Sequence, residues 1–243
     1  MIDGLGCKVY ERIAANGTTG GLIRPGGLEL TDRALSLCAF PPGSRLLDVG
    51  CGTGATVKHL IERHGFLAAG IDSSLPMLML GQKCLPLIRA EAENLPFRDG
   101  EWDGVLAECT LSVTGAPDIA FRECARVLRR GGKLILSDVY LKNSKAVPEA
   151  RALQAVCQFA RAPAQEELMS RLEKAGCQVL AWEDHSAALK HFAAQLILSG
   201  EAGPPSLRVP TGPQPSDDTE IEQAASFAWL GYFLAVAMKS LNG

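Results

Sequence analysis

The segment Arg45-Leu-Leu-Asp-Val-Gly-Cys-Gly-Thr-Gly54 decides the fold. Its first five residues form a short, largely apolar run that is typical of a buried strand. The glycines that follow let the backbone turn sharply, and a helical pattern starts at Ala55. A glycine-rich turn between a strand and a helix indicates a nucleotide-binding α/β domain. The same turn also fits a dinucleotide-binding pattern that uses Gly50, Gly52 and Ala55.

Downstream of this segment, strand-like and helix-like runs alternate, which predicts a parallel sheet with crossover helices. We predict strands at 45–49, 66–71, 87–90, 102–107, 133–138, 177–182 and 231–238. We predict helices at 31–38, 55–64, 117–130 and 186–198, one after Ser74, and two between 149 and 175 that break near Pro163. Gly65 and the pair Gly131-Gly132 are expected to end the helices before them.

The length of 243 residues favours a single domain, 1–243. We divide it into an N-terminal cap segment (1–44), a core (45–183), an insert (184–230) and the last strand (231–239). The proline-rich stretch 201–219 is the loop of the insert. Long loops in compact domains often serve as lids, so we expect the insert to cover the acceptor crevice.

The composition excludes several classes of function. The chain has 24 Lys+Arg against 27 Asp+Glu, a net charge of −3, which disfavours non-specific nucleic-acid binding. The first residues do not form a basic and then apolar leader, and no uncharged stretch reaches the roughly 20 residues of a spanning helix. We therefore predict a cytoplasmic protein with neither a membrane nor a nucleic-acid partner. The oligomeric state is open.

The eight cysteines show no chelating pair, since the closest two in sequence are Cys38 and Cys51. We predict that the protein holds no stoichiometric zinc or iron and that most of these cysteines are buried apolar residues. His59, His64 and His191 are expected to be packing or surface residues.

Asp72 closes the second predicted strand. A carboxylate in that position can accept hydrogen bonds from the two hydroxyls of a ribose. Alone it could equally be an aspartate that caps the helix after Ser73-Ser74. Together with the glycine turn, it indicates an adenosine-containing cofactor without deciding which one.

Further short patterns follow in a fixed order: Ala90-Glu-Ala-Glu-Asn-Leu-Pro-Phe97, Trp102-Asp103 and Arg126-Val-Leu-Arg-Arg-Gly-Gly132. With Leu47 to Gly54 and Gly70-Ile-Asp72, they resemble the class I S-adenosylmethionine-dependent methyltransferases of the UbiE-like small-molecule group. The usual run in that group is LDVGCGTG, GxD, GDAExLPF and RVLxPGG. This chain departs from it with Ala90-Glu91 for Gly-Asp and with Arg130 for Pro.

A narrower resemblance points to TrsM-type bacterial methyltransferases, which accompany radical-SAM selenoproteins. It depends on Arg24-Pro-Gly-Gly27, Ala107-Glu-Cys109 and Glu183-Asp-His-Ser186. Arg24-Pro-Gly-Gly27 is either a turn that starts the next helix or part of a cover that brings Arg24 or Tyr10 to an anionic acceptor.

The methyltransferase resemblance implies a Rossmann-like α/β fold. The sheet would have seven mostly parallel strands in the order 3-2-1-4-5-7-6, with the last strand antiparallel and helices on both faces. It also implies S-adenosylmethionine as cofactor and S-adenosylhomocysteine as product. The glycines would wrap the methionine part, Asp48 would reach its ammonium group through water, and Asp72 would bind the ribose hydroxyls. Met77 would pack on the adenine, and Glu91 and the Ala92 backbone would contact the adenine edge. The predicted cofactor-binding residues are Asp48, Gly50, Cys51, Gly52, Gly54, Asp72, Ser73, Met77, Glu91, Ala92, Glu93, Glu108 and Cys109.

The predicted function is methyl transfer to a nucleophilic atom of a small molecule. Glu108, Asp138 and His185 follow or end strands four, five and six, so they are candidate general bases, and Tyr140 should face the same crevice. The chain lacks the (N/D)PP(Y/F) run after strand four that is typical of enzymes acting on nucleic-acid or protein amide nitrogens. The alternatives are a nicotinamide-dependent oxidoreductase, a metalloid (arsenite-type) methyltransferase that uses Cys109, and a non-catalytic S-adenosylmethionine-binding module.

Overall fold

A computed structural model of the chain describes Glu11 and residues 24–142, 162–198 and 230–241. In this part of the chain, seven strands form one sheet in the order β3-β2-β1-β4-β5-β7-β6. The strands are β1 (Arg45–Val49), β2 (Leu67–Asp72), β3 (Leu87–Arg89), β4 (Trp102–Glu108), β5 (Leu128–Leu141), β6 (Cys177–Asp184) and β7 (Leu230–Lys239). Strands β1 to β5 pair in parallel, and β7 runs antiparallel to both β5 and β6. The predicted order and orientation are confirmed.

Helices cover both faces of the sheet, as predicted. They are α1 (Gly27–Cys38), α2 (Ala55–Glu62), α3 (Leu75–Leu80), α4 (Pro117–Val127), α5 (Gln165–Lys174) and α6 (Ser186–Leu198). One core contains buried residues of α4 and α5, and the other contains those of α1, α2 and α6. Successive residues of β5 alternate between them: Leu134 and Leu136 belong to the first core, Ile135 and Val139 to the second.

The predicted glycine stop after α2 and the predicted serine cap of α3 are confirmed, although α2 ends at Glu62 and not at His64. Gly65 has a left-handed φ of 68°, its N–H donates to Ile61 O (3.1 Å), and Phe66 N donates to Leu60 O (3.1 Å). This pair of bonds is a Schellman motif, which satisfies the last carbonyls of a helix. Ser74 Oγ accepts from Met77 N (3.2 Å) and so caps α3.

The prediction for α4 was wrong at its end. The helix stops at Val127 rather than Arg130, and β5 begins at Leu128 instead of 133. Leu128 pairs with Trp102 of β4, and the register then shifts before Gly104. Gly131, with φ of 72°, therefore belongs to an irregularity inside β5 and does not end a helix. Strand pairing outweighed the local stop signal.

The N-terminal helix also differs from its prediction, since α1 begins at Gly27 rather than at residue 31. The first helix predicted between 149 and 175, the loop 201–219 and Tyr10 all lie outside the described residues. Among the described residues, no helix is long and apolar enough to cross a bilayer.

Gly231 of β7 packs so closely against Tyr140 that we expect a side chain at this position to destabilise the protein. A Cβ atom on Gly231 would lie 2.2 Å from Cε1 of Tyr140. That ring cannot move freely because it makes edge contacts with Trp182 and Phe233. We expect Gly231→Ala to lower the free energy of unfolding by about 1–3 kcal/mol, as overpacking does.

Urea unfolding measures this effect, with Gly115→Ala as the matched control. The nearest atom to a Cβ at Gly115 is Glu93 Oε1 at 3.8 Å, an ordinary contact. The control should stay within about 0.5 kcal/mol of the wild type. Equal stability of the two variants would contradict this account of the packing.

Candidate active site

The glycine loop joins β1 to α2 at the carboxyl edge of the sheet. Gly50, Gly52 and Gly54 have φ values of 79°, 54° and 82°, which L side chains rarely adopt. The N–H groups of Gly50 and Cys51 both donate to Ile71 O (2.8 and 2.9 Å), so the loop folds back toward β2. Lack of space also requires glycine at position 50, in addition to the backbone angle, since a Cβ at Gly50 would lie 2.1 Å from Thr110 Oγ1.

The loop ends at the N-terminus of α2, which has no side-chain cap. The first N–H groups of a helix have no partner within the helix and favour an electronegative ligand. Buried Met77 of α3 closes one side of the loop, because its Cε lies 3.0 Å from where a Cβ of Gly52 would be. The loop, α2 and α3 together form a cradle at the ends of β1 and β2.

Asp72 combines the two roles that its position in the sequence left open. Its Oδ2 accepts from Gly52 N (2.8 Å), and its Oδ1 accepts from Ser74 N (2.8 Å), as in a capping aspartate. Burial raises the pKa of Asp72, while these two hydrogen bonds oppose the rise. A carboxylate oxygen has two lone pairs, so each oxygen can accept one more hydrogen bond. The same side chain can thus hold the loop and still receive two hydroxyls.

A buried ion pair lies beside the loop at the end of β4. An Nη atom of Arg24 is 2.9 Å from Glu108 Oε2, with side-chain exposures of 10% and 2%. Thr31 Oγ1 donates to Glu108 Oε1 (3.0 Å), and Arg24 donates to Thr31 Oγ1 (2.6 Å) and Thr56 Oγ1 (2.9 Å). The pair connects the start of α1 with β4 and α2. Sequence reasoning missed both threonines, because a lone threonine in a helix carries no recognisable signal.

Asp48 of β1 is buried next to this pair. Burial and the nearby Glu108 carboxylate raise its pKa to about 8, although the Arg24 cation opposes the rise. The desolvated carboxyl is therefore held mostly in its neutral form near pH 7. A second cation placed beside Asp48 would favour its ionised form.

Cys109 follows β4 in a left-handed conformation, with φ of 55°. Its Sγ lies 3.0 Å from the hydroxyl of Tyr232, which in turn donates to Ser137 Oγ (3.3 Å). Burial raises the pKa of the Cys109 thiol, so it stays protonated at neutral pH. Tyr232 was missed by the sequence analysis, because nothing in the apolar run of β7 indicated that its hydroxyl reaches β4 and β5.

The structure does not bring the three candidate bases together. Glu108 faces α1, whereas Asp138 lies on the opposite face by strand alternation. Ser112 N and Val139 N donate to the two oxygens of Asp138 (3.1 and 2.8 Å), whose pKa burial raises to about 6. His185 Nε2 lies 2.9 Å from Glu183 Oε2 at the end of β6.

The other predicted cofactor residues differ in exposure. Glu91 and Ser73 are exposed, and Ala92 is buried. Glu93 Oε1 accepts from Ala116 N (3.1 Å) at the start of α4, and the buried Cys51 side chain packs against Gly70. The backbone of residues 91–94 is held by Asn94 N donating to Glu91 O (3.1 Å).

The structure also bears on two predictions for the acceptor side, the position of Tyr140 and the metalloid alternative that uses Cys109. Tyr140 is buried in the first core, and its hydroxyl donates to Asp184 Oδ2 (3.2 Å). The metalloid alternative needs several convergent thiols, and within residues 24–142, 162–198 and 230–241 no three cysteines converge. Cys7 and Cys157 lie outside the described residues.

Comparison of the chain with known proteins identifies the class of protein to which the glycine loop and its neighbouring strands belong. Residues 47–136 match the family described as "Methyltransferase domain". The demethylmenaquinone methyltransferase of Streptomyces avermitilis is 32% identical over 167 residues, which cover 59% of this chain and 72% of that protein. The chain belongs to the class I S-adenosylmethionine-dependent methyltransferases.

Longer proteins share the same domain. Phosphoethanolamine N-methyltransferase of Triticum aestivum is 29% identical over 144 residues, which cover 56% of this chain and only 27% of that protein. The matched region thus spans about a quarter of the length of this plant relative.

Two solved structures have a similar fold. The [4+2]-cyclase SpnF has a TM-score of 0.68 and 26% identity, covering 88% of this chain and 82% of that one. Haemonchus contortus phosphoethanolamine N-methyltransferase 2, in complex with S-adenosylmethionine, has a TM-score of 0.68 and 19% identity, covering 97% and 57%.

The residues present fit S-adenosylmethionine. The glycine loop forms a cradle whose walls leave no room for side chains at Gly50. Asp72 keeps a lone pair on each oxygen for the ribose hydroxyls, and the neutral Asp48 carboxyl can ionise beside the ammonium group of the methionine part. S-adenosylmethionine is the cofactor of this family.

The raised pKa of Asp48 predicts a pH-dependent stability effect. The pKa of the folded state, about 8, exceeds the ordinary value of 3.8, so the folded protein binds more protons than the unfolded chain between these pH values. The contribution of Asp48 to the stability of the wild type therefore falls as pH rises through this window. Asp48→Asn removes the effect, so we expect its melting temperature relative to the wild type to increase from pH 5 to pH 8.5.

Thermal unfolding across this pH range measures the difference, with Asp138→Asn as the control. Because the pKa of Asp138 is raised only to about 6, the benefit of Asp138→Asn should stop growing near that pH. Parallel melting curves for Asp48→Asn and the wild type would contradict a neutral Asp48.

Proposed function

We propose that this chain transfers the methyl group of S-adenosylmethionine to a nucleophilic atom of a small molecule. The observation that carries the proposal is the position of Asp72, whose carboxylate accepts from Gly52 N (2.8 Å) in the glycine loop. One hydrogen bond thus joins the residue suited to the ribose with the loop suited to the methionine part. A pocket for a dinucleotide would use the same loop, so direct measurement of methyl transfer has to decide.

The proposed cofactor contacts follow from this geometry. Gly50, Gly52 and Gly54 line the methionine part, and Asp48 binds its ammonium group. Met77 packs on the adenine, and the backbone at Ala92 with the Glu91 carboxylate binds the adenine edge. Cys51, Ser73, Glu93, Glu108 and Cys109 complete the proposed surroundings of the cofactor.

When bound, S-adenosylmethionine supplies a methyl group that its sulfonium already activates. The protein then needs mainly to align the acceptor and exclude water. We place the acceptor above the ends of β4 and β5, where Cys109 and the Tyr232 and Ser137 hydroxyls form a buried polar group. Arg24 adds a buried cation there, since it pairs with Glu108 (2.9 Å).

Among the three candidate bases, we favour His185 when the acceptor has to lose a proton. Glu108 already accepts from Thr31 and pairs with Arg24, so its role is to hold Arg24. Asp138 lies on the opposite face of the sheet from the Arg24–Glu108 pair. His185 is half-buried, and Glu183 lies 2.9 Å from its Nε2, an arrangement that orients an imidazole.

A labelling assay tests the proposed activity directly. The protein is incubated with S-adenosylmethionine labelled in its methyl group and with a panel of phenols, quinols, amines and thiols. We expect labelled product and an equal amount of S-adenosylhomocysteine for at least one acceptor. Because SpnF is named a cyclase, the assay must measure transfer and not only binding.

The alternatives give different results in the same experiment. Tight binding of S-adenosylmethionine without transfer to any acceptor would favour a binding module. Binding of NADH but not of S-adenosylmethionine would favour an oxidoreductase. A cytoplasmic location and the absence of a nucleic-acid partner stay predictions from the sequence.

The ribose contact predicts a specific loss of cofactor affinity. Asp72→Ala removes a carboxylate that we propose accepts two hydroxyls, and hydrogen bonds to charged groups contribute about 1.5–3 kcal/mol each. Loss of both bonds costs about 3 kcal/mol or more, so we expect S-adenosylmethionine to bind at least about 100-fold more weakly in calorimetry. Gly52→Val should be more damaging, since its side chain would meet Met77 and fill the cradle.

The matched control is Glu173→Ala, which removes an exposed carboxylate on α5. It should bind S-adenosylmethionine as the wild type does. Circular dichroism should show that each variant is folded. A folded Asp72→Ala variant with unchanged affinity would show that Asp72 only holds the loop.

A further inference from the structure

Three metal-binding side chains converge on the surface between α1 and α2. His59 Nε2 lies 2.6 Å from Asp32 Oδ1, and His64 Nε2 lies 2.7 Å from the same oxygen. The two histidine Nε2 atoms are 3.3 Å apart. Among the described residues, this is the one group of three such side chains whose ligand atoms lie within 4.8 Å of one another. None of the three belongs to the proposed cofactor site.

The end of α2 builds this arrangement. His59 lies in the last turn of α2, and His64 lies just after the end of that helix, with a ring centroid 5.0 Å from that of His59. The His64 ring stacks on Phe66 with a centroid distance of 5.7 Å and an interplanar angle of 9°. Its orientation is therefore fixed by packing. Asp32 reaches both rings from α1.

The distances suit a tetrahedral metal ion. Zinc binds imidazole nitrogen at about 2.0–2.1 Å, so two nitrogen ligands of a tetrahedral zinc ion lie roughly 3.3–3.4 Å apart. The two Nε2 atoms show this separation, at 3.3 Å. The carboxylate oxygen lies closer to the rings than a ligand would. Asp32 is 45% exposed, so it can move outward by the small distance required.

The charge of the group also favours a cation. Asp32 supplies an anionic ligand, and its Oδ1 lies 2.6 and 2.7 Å from the two imidazole nitrogens. His59 and His64 side chains are 14% and 27% exposed, so a solvent path to the group remains. Two neutral imidazoles and one carboxylate are a ligand set that zinc accepts.

We propose that Asp32, His59 and His64 bind one Zn²⁺ ion, with water at the fourth position. The ion joins α1 to α2 on the outside of the domain. Thr31, the residue before Asp32, contacts Glu108 in the buried ion pair, so the ion also holds the helix that carries this contact. The expectation of a metal-free protein rested on the cysteine spacing and on histidines that share no face with the cysteines. It missed this group because residues at positions 32, 59 and 64 form no recognisable spacing.

Zinc titration of the purified full chain tests the proposal. The protein is first treated with EDTA and dialysed, and zinc is then titrated at pH 7.5 against a chromogenic chelator. We expect one equivalent bound with a dissociation constant in the micromolar range or below. Affinity should fall at least tenfold at pH 5.5, because protons compete for the imidazoles. It should also fall at least tenfold in His59→Ala, His64→Ala and Asp32→Asn.

Controls separate this group from other zinc ligands. His191→Ala removes an exposed histidine on α6, and Cys84→Ser removes an exposed thiol, so both should bind zinc as the wild type does. Zinc should raise the melting temperature of the wild type but not of Asp32→Asn, whose exposed position makes misfolding no explanation. The proposal is overturned by a dissociation constant above about 1 mM, or by affinity that survives in all three site variants. Methyl transfer plays no part in any of these readouts.

Discussion

The arrangement of charge at the carboxyl ends of β1 and β4 governs the rest of the site. Asp48 and Glu108 are both buried there, and Arg24 is the buried cation that pairs with Glu108 at 2.9 Å. One cation cannot stabilise two buried carboxylates equally, so Asp48 stays largely neutral with a pKa of about 8. Desolvated ion pairs contribute little net stability, and breaking one leaves a costly buried charge. The buried charges are therefore better explained by ligand binding than by stability of the fold. They leave the Asp48 carboxyl neutral and able to ionise when a cationic ligand group binds beside it.

The glycine loop meets a second constraint on the same edge of the sheet. Its residues need left-handed backbone angles, and Thr110 fills the space that a side chain at Gly50 would require. Thr110 Oγ1 donates to Val49 O (2.9 Å), which fixes the end of β1 from the next strand. The loop is thus held from both neighbours, by Ile71 of β2 and by Thr110 after β4. This rigidity preorganises N–H groups for a ligand, so little entropy is lost in ordering the loop on binding.

The sequence predicted the local and repeated features well. Every strand contains at least a short apolar run, such as Leu87-Ile88 in β3, so the pattern found all seven. Gly65 and Ser74 end or start helices through bonds within a few residues. The strand order came from the resemblance to a family, because periodicity contains no information about which strands pair. The start of β5 at Leu128 was missed for the same reason, since its pairing with Trp102 lies outside any local window.

Features that depend on distant partners could not be predicted. Tyr232 reaches Cys109 and Ser137 from the far end of the chain, and Thr31 looks like any residue of an amphipathic helix until Glu108 is placed beside it. The proposed zinc ligands are a histidine of α2, a histidine just after the end of α2, and an aspartate of α1. Long-range side-chain contacts of this kind need the structure.

Proton release on cofactor binding is the most direct test of the account's central claim. At pH 6.5 Asp48 should be protonated in the free protein, while the α-ammonium group of S-adenosylmethionine, with an ordinary pKa near 8, is already charged. Binding enthalpies are measured at that pH in buffers with different ionisation enthalpies. The account predicts release of close to one proton per site in the wild type and none in Asp48→Asn. Binding by the wild type without proton release would contradict it.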